Sequence, residues 1–291
     1  MANEFVIPNP QDLELKKQKI RKQGLRKLQV ISDFDKTLTK AFVNGEYVLS
    51  LIAYLRNKKY LTEDYAPKAF ALYEKYHPYE ISLTLPRKEK EKAMQLWWKE
   101  HFALLIQSGL NKETIQKAAS AMVEEHDILF REGTPAFFST LKEKKIPLVI
   151  MSASLGDLLQ ELLAQNNYFS SNITVISNLL DFDTEGKAKK VKGTIIHSLN
   201  KREAAVKRLP IYKKLQTRKN IILLGDALED LDMIYGVKYE NLIKIGFLNE
   251  QENELLPVYK KYFDMIILKD GEMTNVNNLL NDVLSKTKTF P

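Results

Sequence analysis

Six short runs rich in Val, Ile and Leu, at residues 28–33, 147–152, 173–178, 220–225, 242–247 and 264–268, constrain this chain more than any other feature. Each is short for a buried helix and too continuously apolar for a strand with one wet face. Such runs suit strands buried on both sides. Helical stretches at 134–145, 156–166, 200–209 and 227–235 fall between several of them. Strands alternating with helices predict an α/β fold, with a mostly parallel sheet covered by helices on both faces.

Residues 47 to about 128 interrupt that alternation. "EYVLSLIAYLRNKKY", "TEDYAPKAFALYEKYH", "PRKEKEKAMQLWWKEHFALLIQSG" and "NKETIQKAASAMVEEHDILF" each carry apolar residues at helical spacing, and Pro, Gly or Asn stands near several ends. They predict a four-helix insertion after the first of the six strands. The expected organisation is a core of residues 1–46 and 129–291 and a helical domain of residues 47–128. A chain of 291 residues is long enough for both.

The chain has no cysteine, which excludes disulfide frameworks, zinc–thiolate sites and a cysteine nucleophile. The N-terminus lacks the apolar stretch of a secretory signal, and no run is long enough to span a bilayer. A soluble cytoplasmic protein with no membrane partner is the expectation. The net charge is +7, with basic clusters at 16–27 and 187–192. These read as a solvated helix face and a basic loop. No zinc finger or RNA-binding signature accompanies them, so no nucleic-acid partner is expected. The charge is enough to attract small anionic substrates.

The chemistry gathers at four places. In "VISDFDKTLTK" the first apolar run ends in Asp33 and Asp35. Side chains at i and i+2 share one side of an extended chain, so both carboxylates face one way and Phe34 the other. Two carboxylates beyond a strand end can divide the work of nucleophile and general acid; a helix N-cap or turn pair is the competing reading. "NLLDFDTEGK" repeats Asp-Phe-Asp at 181–183, but Thr-Glu-Gly follows, so Asp181 and Asp183 are expected in a hairpin turn. In "PLVIMSASLGDLL" a strand ends at Ser152, and the small residues Ala153, Ser154 and Gly156 open a helix. Its first amides and the Ser152 hydroxyl suit phosphate oxygens, while a serine N-cap is the plainer alternative. Lys201 stands near a helix start, where a cation is disfavoured, and reads as a point charge on the phosphate. In "NIILLGDALEDLDM", Asp226 and Asp230 offer hard oxygens one turn apart, which suits Mg²⁺. Four converging aspartates and a phosphate dianion require compensating cations.

These four places, in this order, resemble the haloacid dehalogenase superfamily of phosphohydrolases. Nearly the whole chain is similar to the cytosolic pyrimidine 5′-nucleotidases, the cytosolic 5′-nucleotidase III group, through "SDFDKTLT", "KYHPYEI", "SASLGD", "SNLLDFDTEG", "KGTIIHSLNK", "NIILLGDALEDLDM" and "IKIGFLNE". The resemblance implies a Rossmann-like core with a helical cap, and hydrolysis of nucleoside 5′-monophosphates, UMP and CMP preferred. Asp33 would be the catalytic nucleophile and Asp35 the catalytic acid and base. Mg²⁺ would be held by the Asp33 carboxylate, the Asp35 main-chain carbonyl and Asp226, with Asp230 in support. Ser152, the backbone at Ala153, and Lys201 would hold phosphate oxygens, and Thr37 would fix the aspartate loop. On the cap, Glu80 matches the acidic residue that reads the base in this group. Trp97, Trp98 and His101 lie on one cap helix, where a tryptophan could stack on the base or serve only as cap core.

The implied partner is a nucleoside monophosphate, with nucleoside as a further phosphoryl acceptor and the chain acting as a monomer. The chain departs from its relatives at Ser154 and Ala227, where they often carry glycine and serine. A preference for 7-methylguanosine monophosphate and a phosphoserine-type phosphatase are the alternatives within the fold. A basic RNA-binding protein on a retired hydrolase fold is the alternative outside it.

Overall fold

The computed structural model describes residues 5–82, 84–201 and 215–285. Its strands, in chain order, are β1 (Phe5–Val6), β2 (Leu28–Ser32), β3 (Phe42–Val43), β4 (Glu46–Tyr47), β5 (Leu148–Leu155), β6 (Ile173–Asn178), β7 (Leu180–Phe182), β8 (Ala188–Val191), β9 (Asn220–Gly225), β10 (Asn241–Leu248) and β11 (Met265–Leu268). Among the described residues the α-helices are α1 (Pro10–Gln23), α2 (Leu51–Asn57), α3 (Tyr65–Ile81), α4 (Arg87–Gln107), α5 (Lys112–Glu124), α6 (Thr134–Glu143), α7 (Gly156–Gln165), α8 (Glu252–Tyr262) and α9 (Thr274–Leu284).

All six apolar runs enter one seven-stranded sheet of order β1-β11-β10-β9-β2-β5-β6. Every pairing in it is parallel except the edge pair β1–β11. Alternate residues of the central strands enter different cores. Val30, Ile150, Ile222 and Leu224 join one apolar cluster; Ile31, Val149, Ile221 and Leu223 join the other. That division explains why these strands are apolar throughout rather than alternating. β7 and β8 form the expected hairpin, and the Asp183 carboxylate accepts the amides of Glu185 (3.0 Å) and Lys187 (2.9 Å).

Two helix expectations change. Residues 227–235 form a 3₁₀ helix at Leu228–Ile234 rather than an α-helix. Its backbone closes bonds three residues apart, the Asp230 amide to the Ala227 carbonyl at 3.2 Å and the Tyr235 amide to the Asp232 carbonyl at 3.0 Å, while the Asp230 carboxylate accepts the amides of Asp226 and Ala227 ahead of it. Most of the stretch at 200–209 lies outside the described residues. The two-residue edge strand β1 and helices α8 and α9 were not foreseen.

The four stretches of the insertion become α2, α3, α4 and α5, with α3 packed on α4 and α5 on α7. Asn111 caps α5 by accepting the Thr114 amide at 2.9 Å. Where the insertion leaves and rejoins the sheet, the two chain segments pair. The Lys40 amide donates to the Leu129 carbonyl at 2.8 Å, and the Arg131 amide to the Leu38 carbonyl at 3.1 Å. Among the described residues, no helix is long and apolar enough to cross a membrane.

Candidate active site

The register of three neighbouring strands builds the site. Ser32 pairs with Leu224 of β9 and Ile150 of β5. One or two residues further, Asp33, Asp226 and Ser152 emerge at the same carboxyl edge, where parallel sheets bind ligands. The Asp33 amide extends the ladder by donating to the Leu224 carbonyl at 3.0 Å. Phe34 turns the other way, fully buried and edge-on to Phe130 at 5.9 Å. The alternation of acid, aromatic and acid therefore separates polar edge from apolar core.

One carboxylate oxygen from each of Asp33, Asp226 and Asp230 lies within 4.8 Å of the other two. Asp230 is the keystone. Its Oδ2 accepts the amides of Asp226 and Ala227, both at 3.0 Å, and its Oδ1 accepts the Lys201 ammonium at 2.8 Å. Lys201 also donates to Asp33. Gly225 makes room for this arrangement: a Cβ there would come within 2.6 Å of Asp230 Oδ2 and closer still to its Cβ. Around Asp226, the Thr37 hydroxyl approaches the carboxylate at 3.4 Å and the Tyr259 hydroxyl donates to the main-chain carbonyl.

Two buried carboxylates, Asp33 and Asp230, and the half-buried Asp226 face one ammonium, so the cluster is short of positive charge. Burial pushes Asp33 well above the usual carboxylate range; Lys201 opposes this, while Asp230 and Asp226 add to it. Burial, followed by Asp230, pushes Asp226 up to about 7. Burial works against the Lys201 charge, but Asp230 and Asp33 outweigh it and raise its pKa. An all-oxygen donor set with surplus negative charge fits a hard divalent cation.

Asp35 stands apart from the triad. Its carboxylate accepts the Leu51 amide, the first of α2, at 3.2 Å. Burial raises its pKa, against the pull of that amide, of Lys36 and Lys201, and of the Ser152 hydroxyl. A carboxyl held protonated more readily than usual is suited to proton donation. The Ser152 hydroxyl accepts the Ser154 amide at 3.0 Å, and the Ala153 carbonyl accepts from Asn178 at 2.7 Å.

The helical layer meets the sheet edge at the loop leading to Lys201. Ser198 donates to Glu80 at 3.1 Å. Leu199 packs in one cluster with Tyr76, Met94 and Trp97, and its carbonyl accepts from Arg87 at 3.4 Å. Arg87 also donates to Asp232, in the 3₁₀ turn that carries Asp230. Trp97 stacks on Tyr76 (6.2 Å) and Trp98 (6.1 Å), and Trp98 in turn stacks on His101 at 6.1 Å. His101 is 3 % exposed, and its Nε2 shares a hydrogen bond with the Tyr65 hydroxyl at 2.9 Å. Burial lowers its pKa to about 4. Thus Glu80 and Trp97 adjoin the Lys201 loop, while Trp98 and His101 continue an aromatic ladder into the helical layer.

The sequence reading missed Arg87, Ser198 and Tyr259. Each acts through a contact remote in the chain, and none sits in a local pattern that would single it out.

Comparison with known proteins is consistent with this geometry. The cytosolic 5′-nucleotidase IIIB structure bound to cytidine superposes with a TM-score of 0.86 at 28% identity, over 99% of this chain and 95% of that one. A probable phosphoserine phosphatase from Vibrio cholerae shares the fold, with a TM-score of 0.57 at 12% identity over 92% of this chain and 68% of its own. The 7-methylguanosine phosphate-specific 5′-nucleotidase of Mus musculus is 38% identical over 266 residues, 91% of this chain and 87% of that protein. Form A of the Xenopus laevis enzyme of that name is 36% identical over 279 residues, 96% of this chain and 95% of its own. The family model described as pyrimidine 5′-nucleotidase (UMPH-1) matches residues 36–284, and the chain belongs to that family.

Proposed function

We propose that this 5′-nucleotidase hydrolyses nucleoside 5′-monophosphates through an aspartyl-phosphate on Asp33, with a cap of residues 47–128 over a core of residues 1–46 and 129–291. The observation that carries the reading is the convergence of Asp33, Asp226 and Asp230, with Lys201 bonded into the cluster. The Asp33 carboxylate attacks phosphorus as the bond to the nucleoside oxygen breaks, and Asp35 gives that oxygen its proton. Asp35 then takes a proton from water, which attacks the aspartyl-phosphate and releases inorganic phosphate. Lys201, the Ser152 hydroxyl and the backbone at Ala153 hold the phosphate oxygens, and Thr37 steadies the loop through Asp226. Mg²⁺ is the proposed cofactor, held by Asp33, Asp226 and the Asp35 carbonyl with Asp230 in support; it would neutralise the charge on the phosphoryl oxygens.

Pyrimidine nucleotides are the first substrate reading, supported by the family description and by the relative bound to cytidine. A second reading is 7-methylguanosine monophosphate. The relatives named 7-methylguanosine phosphate-specific 5′-nucleotidases, at 38% and 36% identity, support it. Phosphate release from CMP, UMP, 7-methylguanosine monophosphate and phosphoserine, with Mg²⁺ and with excess EDTA, tests all of this. Nucleotide turnover abolished by EDTA is expected; turnover of phosphoserine alone would refute the nucleotidase reading.

Glu80→Ala should lower kcat/KM for the preferred nucleotide by about 10- to 100-fold, the loss expected for a charge-assisted hydrogen bond. Turnover of a small ester such as p-nitrophenyl phosphate should change little. Equal loss on both substrates would remove Glu80 from base recognition and leave Trp97, Trp98 and His101 as the proposed base contacts. The reading extends to a cytoplasmic location, supported by the relatives called cytosolic, and to a monomer, which size-exclusion chromatography with light scattering would check. It also includes nucleoside as an alternative acceptor to water, which exchange of labelled nucleoside into nucleotide would reveal.

A further inference from the structure

Joined to the acid cluster through Thr37 lies a second charged centre. Arg131 sits where the chain returns from the helical insertion, and it is 1 % exposed. A buried guanidinium is tolerated only when its donors are matched. Here all five are. Nε donates to the Thr37 carbonyl at 2.9 Å. One terminal nitrogen donates to the Gly271 carbonyl at 2.6 Å and pairs with Asp270 at 3.0 Å. The other donates to the Lys36 carbonyl at 2.5 Å and to Asn249 at 2.7 Å. The Phe247 ring closes one face, 4.4 Å away.

Two of those acceptors belong to the residues directly after Asp35. Lys36 has a φ of 61°, a left-handed conformation that a side chain other than glycine adopts only when its surroundings impose it. The Lys36 carbonyl accepts from Arg131 and also from Asn249 at 3.1 Å, while its amide donates to Thr39 at 2.8 Å. Asp270, the counter-charge, accepts the next free amides of the same loop, Ala41 at 2.7 Å and Phe42 at 3.1 Å. One guanidinium and one carboxylate thus fasten residues 36–42 to the ends of β10 and β11.

We infer that Arg131 is the positioning residue of the aspartate loop, holding its turn so that the Asp35 main chain and the Thr37 hydroxyl meet the acid cluster. The five-donor fork is the essential property. Lysine would keep the charge but has three donors on a single nitrogen, and cannot reach acceptors on both sides of the loop. This inference rests on the proposed hydrolase reading, because it concerns how that site is set.

The test compares the wild-type chain with Arg131→Lys and Asn249→Ala, measuring thermal unfolding, kcat and KM for the best nucleotide well below the melting temperature. Mg²⁺ binding is measured by calorimetry without substrate. Arg131→Lys should lower kcat by about 100-fold, as expected for a slight misplacement of reacting groups, with KM little changed and metal binding weakened. Asn249→Ala, which keeps the guanidinium and removes one partner of the Lys36 carbonyl, should lower kcat by roughly 3- to 10-fold. Should Arg131→Lys fail to fold, the Asn249→Ala split between kcat and KM decides. A wild-type rate in whichever variant decides, whether or not its melting temperature falls, would reduce Arg131 to a structural role and overturn the inference. An inactive wild-type chain would overturn the hydrolase reading and this inference with it.

Discussion

Asp33→Asn should give a folded protein whose phosphate release falls by at least about 10⁴-fold, the scale of removing a covalent nucleophile. The substitution preserves shape, so it isolates the loss of the attacking oxygen. Its effect on stability should run the other way. Asp33 is 6 % exposed and shares its space with two other carboxylates, so removing its charge relieves both burial and repulsion. Lys201 keeps its bond to Asp230, so no ammonium is left unpaired. The expected signature is an inactive chain that melts at or above the wild-type temperature. Phosphate assays and calorimetry on the same preparation check both halves. Full turnover by Asp33→Asn would end the covalent mechanism, and a melting temperature far below wild type would show that Asp33 is held there for stability.

Gly225→Ala tests the site from the opposite side, by adding one methyl group. At this position the cost is steric rather than conformational, because the new Cβ would press on the Asp230 side chain. That side chain cannot retreat freely, since it already binds two backbone amides and Lys201. Asp230 must shift, and the lysine and the Asp226 turn shift with it. A supporting ligand displaced in this way weakens metal sites by about 10- to 100-fold. Overpacking of a tight interior costs about 1–3 kcal/mol of stability. Titrating activity against Mg²⁺ concentration should show a rightward shift with a reduced maximum. A variant with an unshifted metal curve and a rate within about twofold of wild type would show that Asp230 has room to move and carries no such role.

What was legible in the sequence was local. Continuous apolar runs betray doubly covered strands within five or six residues, and all six were placed in one sheet. Asp33, Asp226 and Asp230 stood out because acids at the end of such runs conflict with burial, and the structure gathers those three. What was illegible depends on partners far along the chain. Arg131 looks like any arginine after a loop until residues 36–37, 249 and 270–271 surround it. Trp97, Trp98 and His101 share one helix, but only packing against α3 and the 199 loop distinguishes their surroundings. The 3₁₀ turn at Leu228–Ile234 reads as an α-helix by its spacing, because a short segment closed by bonds three residues apart carries no periodic trace of its own.

The short segment from His197 to Lys201 supports the helical layer through Ser198 and Leu199, and ends in the ammonium that reaches Asp33. With Glu80 reading the base as proposed, selectivity and rate would share a lever. A phosphoester with no base to engage Glu80 leaves that lever unloaded, so its penalty should fall on turnover even at saturating concentration, and not on binding alone. Small abundant phosphate esters could then occupy the pocket yet escape cleavage.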